Sequence, residues 1–107
     1  MRMYELIGKE FKLTDNVENS QSKTIFFTSY NQIYVSTVFL GWDHSLGASK
    51  PILFETMVFG GQYNEYQVRY HSYDEAEAGH NEVCDMIKND PEVMEFVRNQ
   101  KILKLLK

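Results

Sequence analysis

The first two thirds of the chain consist of short runs of β-branched and aromatic residues, and the last third changes to a helical period. The runs predict four strands, over residues 24–30, 33–40, 52–59 and 66–71. Asn31-Gln32 is a plausible turn between the first pair, and Gly60-Gly61 begins the turn of a second hairpin. One or two further short strands are expected within residues 4–13. Residues 15–23 are polar and predict an exposed loop.

Two helices are predicted after the strands. Ser72 and Glu75 have the spacing of a capping box, and the helix that follows should run from Tyr73 to about Asn89. Asp90-Pro91 is a second start signal, because Asp caps helices and Pro suits the first helical position, so residues 92–106 should form another helix. The positions expected to face the core are Ala76, His80, Val83 and Ile87 in the first helix, and Val93, Phe96, Val97, Leu103 and Leu106 in the second.

This order of elements, with strands first and helices last, indicates the α+β class. We expect an antiparallel sheet of four to five strands, followed by two C-terminal helices packed on one of its faces. A length of 107 residues is typical of one domain, so residues 1–107 are predicted to form a single domain.

The two central predicted strands are apolar on both faces. In the strand 33–40, one face carries Ile33, Val35, Thr37 and Phe39, and the other carries Tyr34, Ser36, Val38 and Leu40. Two helices cover only one face of a sheet, so the other must be covered by the N-terminal segment, a second subunit or a ligand. We expect a homodimer, because large exposed apolar patches are usually interaction sites. The alternative is that residues 1–23 fold over that face.

Composition and charge narrow the class of partner. The chain is 43% apolar and 24% charged, with seven Phe and seven Tyr, which is enough to supply a core. The single cysteine, Cys84, forms no internal disulfide, and the first residues lack the pattern of a secretory signal. A net charge of −4 without a Lys/Arg cluster argues against binding to double-stranded nucleic acid, but leaves a small nucleotide open.

One segment has about the length of a membrane span. Residues 24–42 contain no charged residue. Asn31-Gln32 interrupts this segment, and both of its halves are β-branched and aromatic. Two strands therefore explain it better than a transmembrane helix, and no membrane association is expected.

Carboxylates and imidazoles suited to metal binding or acid–base chemistry are scattered along the chain. They are Asp43, His44, Glu55, His71 and His80. Their spacing matches no specific metal motif, so no metal or other cofactor is predicted. For His80 we favour a structural interpretation, a histidine at the edge of the core that hydrogen-bonds a carbonyl or carboxylate of the sheet.

Glu55 is the most informative single residue, because it lies in the middle of an apolar strand. If residues 60–64 form the hairpin loop, Glu55 falls opposite Arg69 and the two form an ion pair, which is the favoured interpretation. The alternative is that Glu55 faces a pocket as a base or a ligand contact. The preceding loop, 41–51, is long for a connection between neighbouring strands, and Trp42 in it is a lid, a dimer contact or a core anchor. The expected ligand or partner site comprises Trp42, Asp43, His44, Glu55 and Arg69.

Three segments together resemble a family of small uncharacterised proteins of tailed bacteriophages and prophages. They are Val35–His44 (VSTVFLGWDH), Phe54–Gly60 (FETMVFG) and Tyr70–His80, and the resemblance covers residues 33–87. It implies an intracellular protein made in the cytoplasm of an infected bacterium, and it implies no particular activity.

The leading functional prediction is a phage accessory protein without catalytic activity, which binds a host protein or a small ligand as a homodimer. A second hypothesis is a small metal-dependent hydrolase that uses Asp43, His44, Glu55 and His80. A third is a nucleotide-sequestering protein, with Trp42 or a tyrosine stacked on the base and Arg69 on the phosphate.

Overall fold

The structure is a computed structural model that describes residues 2–47, 50–95 and 98–99. Its strands and first helix are β1 (Tyr4–Ile7), β2 (Glu10–Leu13), β3 (Lys23–Tyr30), β4 (Ile33–Phe39), β5 (Phe54–Phe59), β6 (Gln67–Tyr70) and α1 (Tyr73–Lys88). A short 3₁₀ helix, Val17–Ser20, lies in the segment predicted as a loop. Residues 91–95 and 98–99 are also helical.

The strands form two antiparallel sheets. The main sheet has the order β3-β4-β5-β6, and β1 and β2 form a separate hairpin. The predicted α+β class is confirmed, as are the four main strands, although β5 begins at Phe54 rather than at residue 52. The tight turn between β3 and β4 is made by Asn31 and Gln32, which both have positive φ angles (49° and 68°), as a two-residue hairpin turn requires.

Both predicted helix starts are confirmed. The Ser72 hydroxyl accepts a hydrogen bond from the Glu75 amide (3.1 Å) and donates one to the Glu75 carboxylate (3.0 Å), so that this carboxylate binds the hydroxyl rather than the amide of Ser72. Oδ1 of Asp90 accepts from the amides of Glu92 (2.9 Å) and Val93 (3.3 Å). The predicted inward positions of α1 are buried, and so is Val93. The other inward positions predicted for the second helix, Phe96, Val97, Leu103 and Leu106, lie outside the described residues.

The helix α1 covers one face of the main sheet, which we call the helix-side face. The buried residues that β4 and β5 direct to it are Ile33, Val35, Thr37, Phe39, Phe54, Thr56 and Val58. Gly79 allows this close packing, because a Cβ at that position would overlap the ring of Tyr70. The helix and the sheet therefore approach each other closely at Gly79 and Tyr70.

The N-terminal hairpin packs on the same side of the main sheet as α1. Tyr4 belongs to the core cluster that contains Phe54 and Ala76, and the ring of Phe11 lies 6.4 Å from that of Phe54. The ammonium group of Lys9 lies 5.6 Å from the ring centre of Tyr73. The alternative that residues 1–23 fold over the second face of the sheet is therefore wrong for its described part.

Candidate functional site

The face of the main sheet opposite α1, which we call the open face, carries a row of exposed aromatic rings. Phe27 of β3 is 59% exposed, Tyr34 of β4 is 41% exposed and Phe59 of β5 is 45% exposed. Tyr34 and Phe59 are directly paired across β4 and β5, and the rings of Phe27 and Tyr34 stack with centres 5.9 Å apart and planes 24° apart. The row therefore runs without interruption across three strands.

The half-buried side chains of Ser36, Val38 and Met57 extend this surface along β4 and β5. Among the residues that the structure describes, neither the N-terminal hairpin nor α1 packs against this face. The apolar patch predicted from the two-sided strands is thus present and continuous.

Glu55 and Arg69 lie on the same open face, farther along the strands. They are partners in the β5–β6 register, and Nε of Arg69 donates to Oε2 of Glu55 at 2.9 Å. Gln67 donates to the same oxygen at 2.8 Å. The Glu55 side chain is only 13% exposed, against 41% for Arg69. The predicted pair and the predicted register are both confirmed.

Asp43 uses its carboxylate to close the loop after β4. Oδ1 accepts hydrogen bonds from the amides of Ser45 (2.8 Å) and Ile52 (3.0 Å). Burial by itself raises the pKa of Asp43, but the hydrogen bonds from Ser45 and Ile52 outweigh it, so the pKa lies below its ordinary value. The carboxylate is therefore held ionised as a structural clamp between the two ends of this loop.

The neighbouring residues Trp42 and His44 also make structural contacts within the chain. Trp42, which is 36% exposed, forms a β-bridge with Met3 of the N-terminal segment. Nδ1 of His44 lies 2.7 Å from the Trp42 carbonyl, and the His44 amide donates to the Ile52 carbonyl. Trp42 therefore lies beside the segment that leads into β1, where the N-terminal hairpin joins the main sheet.

His80 is buried between α1 and the main sheet, where it is surrounded by hydroxyl groups. Nε2 lies 2.9 Å from Oγ1 of Thr28, and Nδ1 lies 2.7 Å from Oγ1 of Thr37. Thr37 in turn contacts the hydroxyl of Thr56 at 2.5 Å, and the Tyr70 hydroxyl donates to Thr56 at 3.1 Å. These five residues form one chain of hydrogen bonds, which we call the hydroxyl network.

Both ring nitrogens of His80 have a hydroxyl partner in this chain. Each hydroxyl can donate one hydrogen bond and accept two, so a neutral imidazole is satisfied with its proton on either nitrogen. Burial lowers the pKa of His80, which keeps the ring neutral.

The structure does not assemble Asp43, His44, Glu55 and His80 into one site. The sheet separates His80, which is on the helix-side face, from Glu55 on the open face, because successive strand residues point to opposite sides. Across residues 2–47, 50–95 and 98–99, no group of three or more His, Cys, Asp or Glu side chains is arranged to hold a metal ion. The structural interpretation of His80 is supported, although its partners are hydroxyls rather than a carbonyl or carboxylate.

The aromatic rings of the open face and the hydroxyl network were not among the predicted site residues, although the second apolar face of the central strands was predicted as a dimer interface. The open-face row of Phe27, Tyr34 and Phe59 had a signal, since both central strands lacked a polar face. The hydroxyl network had a weaker one, namely Thr37 and Thr56 at positions whose neighbours on the same face are large and apolar. Because threonine is also a good strand former, that signal does not distinguish a buried polar network from ordinary strand composition.

A groove lies between the edge strand β6 and α1. This groove has a volume of about 310 Å³ and is lined by Tyr66, Val68, Tyr70, Gly79, Glu82, Val83 and Met86. It lies on the helix-side face, so it is distinct from the open face.

Comparisons of the chain with protein-family models, curated proteins and solved structures find no match. Within the described part of the chain, no helix combines the length and the apolar character that crossing a membrane requires.

Proposed function

We propose that this chain is a small phage accessory protein that acts by binding rather than by catalysis, in the cytoplasm of an infected bacterium. In this proposal two copies associate through their open faces, and the resulting homodimer binds a host protein or a small ligand. The observation that carries it is the continuous row of exposed aromatic rings formed by Phe27, Tyr34 and Phe59. The phage assignment rests on the resemblance of residues 33–87.

A second copy is favoured as the occupant of the open face by the charges found there. The only charged residues that β3 to β6 direct to this face are Glu55 and Arg69, and they neutralise each other. Two such faces can meet around a twofold axis without leaving an unpaired charge in the interface. The chain as a whole has a net charge of −4, so the open face is a neutral surface on an acidic protein.

The proposal does not extend to hydrolysis or to nucleotide capture. The carboxylate of Asp43 closes a loop, and His80 is committed to the hydroxyl network. Nε of Arg69 is committed to Glu55, and no lysine or second arginine accompanies it on the open face of β3 to β6. Aromatic rings that bind nucleic acid usually work beside such positive charge.

The experiment is light scattering coupled to size-exclusion chromatography, over a wide range of protein concentration. The wild-type chain should have twice the monomer mass. Phe27→Lys places a charge in the row and should give a monomer of unchanged helical content. The matched control is Ile7→Lys, because Ile7 is similarly exposed (55%) but lies on the N-terminal hairpin, and it should remain a dimer. A wild-type monomer at every concentration would refute this role of the open face.

A further inference from the structure

We propose that the groove between β6 and α1 binds an extended basic segment of a partner protein, which adds to β6 as a further strand. This inference rests on the non-catalytic binding role proposed above, and it names the chemistry of the partner. It does not depend on dimer formation, because the groove lies on the helix-side face.

The backbone of β6 has hydrogen-bonding groups directed away from the sheet. The Val58 amide donates to the Tyr66 carbonyl at 3.0 Å, and the Val58 carbonyl accepts from the Glu65 amide at 2.8 Å, so both backbone groups of Val58 face β6 and the residues before it. Antiparallel ladders alternate, so the next β5 residue that bonds to β6 is Thr56, which is paired with Val68. The amide and carbonyl groups of Gln67 and Arg69 therefore point outward. Within the described residues, no other strand pairs with β6 on that side.

The groove beside this edge can accept a side chain of an added strand. In an added strand every second side chain would point toward α1, where Val68 and Met86 provide a half-buried apolar floor. Gly79 lets the ring of Tyr70 pack directly against the helix, and this ring forms one end of the groove. A volume of about 310 Å³ is ample for one aliphatic side chain and part of its neighbour.

The rim of the groove is acidic. Glu82 lines it from α1, and Glu65 lies exposed two residues before β6. The exposed surface of α1 adds Asp74 and Asp85, against Lys88 in its last turn. This charge favours Lys or Arg on either side of the apolar anchor of the ligand. It disfavours edge-to-edge pairing with a second acidic copy of the chain, so a basic partner is the better occupant.

The test is the fluorescence anisotropy of a labelled octapeptide of alternating Lys and Val, titrated with the protein at physiological salt. The same peptide with Glu in place of Lys should not bind. Glu82→Lys should weaken binding of the Lys peptide about fivefold. The matched control is Glu77→Lys, an exposed residue of the same helix that does not line the groove, and it should leave the affinity within about twofold.

A second pair of variants tests strand addition itself. Gln67→Pro removes an outward amide while sparing the ladder to β5, and it should weaken binding about fivefold. Gln67→Thr loses the same side chain but keeps the amide, and it should bind like the wild type. Circular dichroism confirms the fold of each variant.

Three results would overturn the inference: equal affinity for the Lys and Glu peptides, equal effects of Glu82→Lys and Glu77→Lys, or unchanged binding by Gln67→Pro. The mass of Phe27→Lys tests dimer formation independently of peptide binding. That variant should bind the peptide as the wild type does, and if it did not, the peptide would bind at the open face rather than in the groove.

Discussion

On the helix-side face of the main sheet, all the β4 and β5 side chains directed to α1 are buried, whereas on the open face three aromatic rings are 41–59% exposed. The two faces are built from the same strands and have similar apolar content. The difference lies in how polar groups are used. The helix-side face buries threonines and a histidine that hydrogen-bond one another. The open face carries an exposed aromatic row and, farther along the strands, an ion pair of which only the Glu55 side chain is largely buried.

This contrast indicates which face is complete and which is not. A buried polar network is stabilising when every member has a partner, and the hydroxyl network meets that condition from Tyr70 to Thr28. Aromatic rings that remain 41–59% exposed contribute less to the stability of an isolated chain than fully buried rings do, because much of their surface stays in contact with water. Hence the helix-side face accounts for folding, and the open face is the better candidate for function.

The largest effect should come from comparing two phenylalanines of one strand. Phe54→Ala removes a fully buried ring on the helix-side face and should lower the free energy of unfolding by about 3–5 kcal/mol. Phe59→Ala removes an exposed ring on the open face and should cost less than about 1 kcal/mol in the monomer. Urea unfolding at a protein concentration low enough to keep the chain monomeric measures both losses of unfolding free energy. Equal losses would mean that the two faces contribute alike to folding.

The next effect concerns the hydroxyl network. Thr37→Val keeps the shape but leaves Nδ1 of His80 and the Thr56 hydroxyl without their shared partner, which should cost about 1–3 kcal/mol in thermal or urea unfolding. The control is Ser36→Ala at the adjacent position on the open face, with an expected change within about 0.5 kcal/mol. If Thr37→Val is as stable as the wild type, the network has no structural role.

A smaller effect should appear on acidification. Burial lowers the pKa of His80 in the folded state below its ordinary value near 6.5, so the unfolded chain binds the proton more readily. Stability should therefore be greatest above pH 6.5 and should fall as the pH drops through 6.5 toward the folded-state pKa. His80→Gln should flatten this slope between pH 7.5 and 5. Asp43 does not contribute to the slope in this range, because its pKa in the folded chain is lowered from 3.8 and its stabilising effect is lost only at more acidic pH. If the pH dependence of stability is unchanged in His80→Gln, it arises from groups other than His80.

The smallest effect is expected for the ion pair of the open face. Glu55→Gln and Arg69→Ala should each destabilise the fold by roughly 0.5 kcal/mol, because the partly exposed Arg69 is screened by solvent. The loss should shrink at high salt, and the double variant should lose less than the sum of the two. Full additivity would show that the carboxylate and the guanidinium do not interact.

The sequence predicted the main sheet and α1 well because their patterns are regular. The Asp90 cap and the register that places Glu55 opposite Arg69 could also be predicted, since a turn of defined length determines the pairing. The position of the N-terminal hairpin could not. Its apolar residues are interspersed with charges, and only their packing against Phe54 and Tyr73 reveals which face they choose.

The candidate sites were harder to predict than the fold. Asp43 and His44 resemble catalytic groups in sequence, but in the structure they hold a loop through backbone hydrogen bonds that no residue pattern indicates. His80 was correctly expected at the core. Its two partners, Thr28 and Thr37, come from two different strands, so they depend on the topology of the sheet rather than on any local motif.

Hydroxyl-radical footprinting of the wild-type chain at low and high protein concentration is the sharpest test of association through the open face, because it reports on individual side chains. We expect Phe27, Tyr34 and Phe59 to become protected together as the concentration rises, while the exposed Ile7 and Val17 remain equally reactive. Reactivity of the three aromatic rings that stays constant across the whole range would contradict it.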